Sequence, residues 1–202
     1  MAPFPAAIED CKCAVRFLRA QATKYGIDPS HIGAWEASAG GHLVALIGTS
    51  DQNAGLEGKG GWVTYSSRVQ AVANFYGPAD FMAGKQKDSS YDQAPWTQPP
   101  ISKFLGGSFS EKKDVYRLAS PVTHVSEDDP PMLLIHGDKD GTVPLLQSQI
   151  LEAALKSKGV PAELIVVKNV GHNFEPTNSG KPEKTDAELD QIAIDFFKRI
   201  LK

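Results

Sequence analysis

Cysteine is almost missing from this chain of 202 residues: Cys11 and Cys13 are the only two. They sit two apart in a stretch of helical periodicity, so they point in different directions and do not pair with each other. No further ligands gather beside them, which removes the case for a thiolate metal site. Long apolar runs are missing too. None approaches the roughly 20 residues needed to span a bilayer. The N-terminus has neither the basic start nor the apolar core of a secretory leader, so a cytoplasmic location is the expectation for the chain as it stands. There is no excess of charge of one sign. Lys and Arg total 21 against 24 Asp and Glu, a net charge of -3, which gives no electrostatic case for nucleic acid or an acidic membrane surface. Internal repeats are absent. What is present is a hydrophobic fraction of 41%, enough for one domain over residues 1–202 with a substantial core.

Apolar runs and periodicity predict strands over residues 31–35, 69–75, 132–136 and 162–167, and helices over 6–24, 40–47, 145–158 and 186–200. Alternation of the two implies an α/β fold, a mostly parallel sheet with helices on both faces. Residues 51–65 and 82–111 are rich in Gly, Ser, Pro and Gln and too long for ordinary connectors. One of them is expected to form the rim of a pocket, with Trp62, Tyr91, Trp96 and Phe104 as wall candidates. The same aromatics also suit plain anchoring of long loops. Residues 175–184 read as a surface loop.

The richest stretch is Ile32-Gly33-Ala34-Trp35-Glu36-Ala37-Ser38-Ala39-Gly40-Gly41-His42-Leu43. An apolar run climbs into a Ser among small residues and opens into a helical pattern. A Ser on such a strand–turn–helix elbow is held out where a substrate carbonyl can reach it. The elbow pattern G-x-S-x-G is written here as Glu36-Ala37-Ser38-Ala39-Gly40, with Glu in place of the first Gly. Small residues around a Ser also serve to let a helix pack closely on a sheet. Downstream, the run 131–135 leads into His136-Gly137-Asp138-Lys139-Asp140-Gly141-Thr142-Val143-Pro144, and the run 163–167 leads into Asn169-Val170-Gly171-His172. The order Ser, Asp, His, each after a predicted strand, is the chain order of α/β-hydrolases rather than of chymotrypsin or subtilisin.

These pieces, with Ala2-Pro3-Phe4-Pro5, Tyr76-Gly77-Pro78-Ala79-Asp80-Phe81 and Ala119-Ser120-Pro121-Val122, span nearly the whole chain. Together they resemble the α/β-hydrolase esterases of the bifunctional feruloyl and acetyl-xylan type, related to the prolyl oligopeptidase-like hydrolases. The resemblance implies a serine esterase acting through an acyl-enzyme on small acyl or aryl esters, with acetylated or feruloylated sugars as the family's substrates. It implies Ser38 as nucleophile, His172 as base and Asp140 as the orienting acid, since Asp140 stands in the family's Asp-x-x-Val-Pro spacing. Asp138 is the nearby competitor. The backbone N–H of Ala39 supplies one oxyanion donor. No cofactor and no metal are called for. His31, His124 and His136 read as local hydrogen-bonding residues, and His42 as a packing or capping one.

The family also carries earlier strands and a His-Gly-Gly type loop that gives a second oxyanion donor. This chain shows neither, and is read as a truncated or abbreviated hydrolase lacking about three or four strands. Three roles are open for Glu36: a solvated residue on the vacated side, a substitution that distorts the elbow, or an accessory carboxylate near Ser38 or His172. The alternative to an esterase is a catalytically weak or inactive hydrolase-like binding module. Without the earlier strands, residues 31–35 form a sheet edge. Bare edges recruit partners, so a homodimer through this strand is expected.

Overall fold

A computed structural model describes residues 2–83 and 99–202. Its strands are β1 (Gly33–Ala37), β2 (Ala71–Phe75), β3 (Met132–Gly137) and β4 (Ala162–Val167). They form one parallel sheet in the order β1-β2-β3-β4. β2 and β3 are buried along their whole length, as expected of parallel strands covered on both faces. Their side chains divide by alternation. Val72, Met132 and Leu134 join one core; Ala71, Ala73, Phe75, Leu133 and Ile135 join the other.

Four longer helices supply the two outer layers. α1 (Ala6–Ala20), α3 (Ser38–Thr49) and α6 (Leu146–Ser157) bury Ile8, Val15, Val44, Leu46, Leu151 and Leu155 in the first core. α7 (Asp186–Ile200) places Leu189, Ala193 and Phe196 in the second. A capping box opens α7: the Thr185 side chain accepts from the Glu188 N–H while Glu188 accepts from the Thr185 N–H. α3 is buried from Gly41 to Thr49 apart from Leu43, because it lies between the sheet and α1. No helix among the described residues is long and apolar enough to cross a membrane.

The structure departs from the sequence reading in its short pieces. The helix expected over 6–24 breaks at Gln21, leaving α2 (Ala22–Tyr25) as one turn that ends in left-handed Gly26. The long segment 82–111 contains α4 (Pro99–Leu105), and α5 (Lys113–Leu118) follows. Prolines suit the first turn of α4, where their missing N–H has no intrahelical partner to lose.

Residues 51–67 are clamped to α1 by buried charge. Lys12 Nζ and Arg16 Nη1 reach the two carboxylate oxygens of Glu57 at 2.7 and 2.9 Å, and Lys12 also donates to the Ser50 carbonyl. Trp62 packs on Phe17 of α1, ring centres 4.9 Å apart. It anchors this loop and lines no pocket of the site described below. Tyr91 and Trp96, the other wall candidates, lie outside the described residues.

Candidate active site

β1 runs into α3 with no residue between them. The junction is Ser38, at φ 52, a left-handed backbone that costs a non-glycine residue on the order of 1–3 kcal/mol. Close approach of α3 to the turn after β2 holds it. A Cβ on Gly41 would stand 2.5 Å from Asn74 Oδ1 and 2.9 Å from the Phe75 carbonyl oxygen. Glycine there lets the first turn of α3 rest on backbone. Tyr76 follows at φ 43, which turns its ring toward the loop bearing His172.

Ser38 Oγ lies 2.9 Å from His172 Nε2, and His172 Nδ1 lies 2.8 Å from Asp140 Oδ2. A carboxylate accepts, so Nδ1 carries the proton and Nε2 is left to accept from the Ser38 hydroxyl. His172 sits in a short 3-10 turn after Gly171, with the Tyr76 ring 4.7 Å from its own.

Asp140 is held from several sides. Its Oδ1 accepts from the N–H groups of Thr142 and Val143, each at 2.8 Å, an Asx turn within its own loop. Its Oδ2 also lies 3.3 Å from His136 Nε2. Burial alone would raise the Asp140 pKa. The hydrogen bonds from His136, His172, Val143 and Thr142 outweigh burial and hold it down to about 2. His136 is fixed in turn: its Nε2 donates to the Val143 carbonyl and its Nδ1 accepts from Ser148. Asp138 faces elsewhere. It accepts from the Asn169 N–H at 2.7 Å and does not touch His172.

The Ala39 N–H stands in the first turn of α3, where N–H groups have no intrahelical acceptor. Glu36 folds back along the strand: its Oε2 accepts from the Ala37 N–H at 2.9 Å. Its side chain covers Gly40, where a Cβ would stand 2.9 Å from Glu36 Cβ. Among the described residues the Glu36 carboxylate bonds neither Ser38 nor His172. His31 pairs with Asp28, and His124 donates to the Leu118 carbonyl. No group of three or more His, Cys, Asp or Glu among the described residues is arranged to hold a metal ion.

A cavity of about 510 Å³ opens beside Ser38 and Ala39, walled by Leu43, Phe81, Ile101, Phe104 and Val143. Phe104 is the one wall candidate from the sequence that the described structure places there. On the far side of the elbow a second hollow of about 390 Å³ is lined by Trp35, Glu36, Tyr76, Phe174, Asp186 and Asp190, among others.

Residues 1–155 match the BD-FAE family model. Ser38 and Asp140 fall inside that match; His172 lies beyond it. Esterase LipQ of Mycobacterium tuberculosis is 30% identical over 174 residues, 85% of this chain but 39% of LipQ. The chain therefore spans about two fifths of the length of that curated relative. A truncated carbohydrate esterase from gut microbiota is 33% identical, with a TM-score of 0.82 over 98% of this chain and 69% of that one. An esterase of the planctomycete Thermogutta terrifontis, solved with butyrate bound, is 27% identical with a TM-score of 0.74, covering 96% of this chain and 65% of that one. The chain belongs to the BD-FAE family and has the α/β-hydrolase fold.

Proposed function

We propose that this chain is a serine carboxylic-ester hydrolase acting on small acyl or aryl esters. Ser38 Oγ attacks the ester carbonyl as His172 Nε2 takes its proton. The tetrahedral oxyanion meets the Ala39 N–H. It collapses to an acyl-Ser38 as the imidazolium returns the proton to the leaving alcohol. Water, activated by the same imidazole, then releases the acid. Asp140 holds the His172 tautomer and balances the imidazolium charge. The observation that carries this reading is the unbroken hydrogen-bonded series from Ser38 through His172 to Asp140, at 2.9 and 2.8 Å. The esterase relatives support it.

Among the described residues the Ala39 N–H, in the first turn of α3, is the donor assigned to the oxyanion. Where it acts without a second donor, turnover is expected to be lower by about two to three decades. The test is hydrolysis of p-nitrophenyl acetate by the wild type and by Ser38→Ala. Slow turnover that vanishes in the variant supports the reading. Equal rates in both leave only a hydrolase-like binding module.

A homodimer through β1 belongs to the same proposal. The Ile32 carbonyl accepts from Gln70 N–H, so alternation directs the N–H and C=O groups of Gly33, Trp35 and Ala37 away from β2. Among the described residues β1 has a strand partner on one side only. Trp35 is 37% exposed there, and the Ala37 N–H is already met by Glu36. A second copy paired about a two-fold axis covers the rest. A monomer by light scattering at micromolar concentration overturns this part.

A further inference from the structure

His42 is out of character in the cavity beside Ser38, whose wall among the described residues otherwise offers no imidazole and no charged side chain. It follows Ser38 by about one turn of α3, is 3% exposed, and meets the Phe81 and Phe104 rings edge-on at 5.0 and 5.7 Å. Its Nε2 lies 2.7 Å from the Ala119 carbonyl oxygen. A carbonyl oxygen only accepts, so Nε2 carries the proton and Nδ1 keeps a bare lone pair. That Nδ1 makes no hydrogen bond among the described residues. His42 is itself one of the residues that line the cavity, beside Ser38, Phe81 and Phe104. Burial pushes the His42 pKa down to about 4 despite the bond to Ala119, so the ring remains a neutral acceptor at neutral pH.

We propose that His42 is a specificity-determining residue whose Nδ1 accepts a hydrogen bond from a hydroxyl on the acyl group, so that hydroxyalkanoyl esters are preferred to plain acyl esters of equal length. The inference rests on Ser38 being the nucleophile. Its physical basis is an asymmetry. A plain acyl chain strips water from Nδ1 and leaves the lone pair unmet, while a hydroxylated chain meets it inside an apolar wall. A neutral hydrogen bond of this kind is expected to give roughly two- to tenfold discrimination.

The experiment compares methyl butanoate with methyl 3-hydroxybutanoate, and methyl hexanoate with methyl 6-hydroxyhexanoate. Each kcat/KM is divided by the ester's alkaline hydrolysis rate. The wild type should favour the hydroxylated member of at least one pair by roughly two- to tenfold, and His42→Leu should bring that ratio to one or below. Loss of the Ala119 bond in the variant affects both members of a pair alike and cancels in the ratio. Equal ratios in wild type and His42→Leu overturn the role of His42. If His42→Leu does not fold, the wild-type ratio decides: no pair above one overturns the proposal. Wild-type turnover with no preference leaves the hydrolase reading standing and removes only His42; no turnover of any ester by the wild type overturns both.

Discussion

Asp140→Asn tests the site's internal logic with one atom changed. The Asn oxygen can keep the two bonds from the Thr142 and Val143 N–H groups, so the loop has a reason to stay in place. Its amide nitrogen then replaces the oxygen that now faces His172 Nδ1 at 2.8 Å. An amide N–H donates, so Nδ1 must become the acceptor and the ring proton moves to Nε2. That nitrogen can no longer take the Ser38 proton. His136 Nε2, which already carries a proton for Val143, would also face a second donor across 3.3 Å. A wrong tautomer in such an arrangement costs about 10⁴-fold in kcat, or about 5 kcal/mol of barrier. The assay is p-nitrophenyl acetate hydrolysis with circular dichroism confirming the fold. Asp138→Asn is the control. It loses no contact to His172 and should stay within about tenfold of wild type, as expected of a group that only orders a loop. Asp140→Asn activity within tenfold of wild type, in a folded protein, would refute the argument.

Other expectations follow from named contacts. The Asp140 carboxyl is lowered from 3.8 to about 2, so its ionised form contributes on the order of 2 kcal/mol of stability. That contribution is full above about pH 4 and is lost as pH falls through about 2; urea titrations across this range should show a drop that Asp140→Asn lacks. Glu36→Gln removes a negative charge from the end of β1, where the side chain lies against Gly40 in the first turn of α3 and close to where the oxyanion develops. Turnover should rise about two- to fivefold, the size of a helix-terminus charge effect, and a fall would reveal a working carboxylate instead. Glu57→Gln strands two cations whose side chains are 1% and 2% exposed. Glu57 itself is 26% exposed, so the expected loss is about 2–4 kcal/mol by chemical denaturation, somewhat below a fully buried pair, and a change under 1 kcal/mol would contradict the clamp.

Much of the frame could be read in the residues because it depends on local pattern. The run 132–136 is apolar, bounded by Pro and Gly, and a buried parallel strand needs little else. Ser38 and His172 stood out because each follows such a strand, and strand ends are where this architecture presents side chains; that position left Asp138 and Asp140 both open, and only the family resemblance pointed to Asp140. What escaped depends on distant partners. Lys12 and Arg16 look like solvated helix residues until Glu57, more than 40 positions on, meets them. His136 read as a local bonder, and its second role against Asp140 appears only when the loop closes. Helices α4 and α5, with 7 and 6 residues, are too short to show a period. Trp62 was a candidate wall by composition alone, and composition does not say which side of α1 a loop will cover.

The proposed chemistry stands or falls with Ser38 as an activated nucleophile. The most direct measurement is covalent labelling by a fluorophosphonate probe, with the modified residue mapped by mass spectrometry. Near-stoichiometric modification is expected at Ser38, absent in Ser38→Ala and strongly slowed in His172→Ala. A folded protein that takes no label, or takes it elsewhere with Ser38 unmodified, would contradict it.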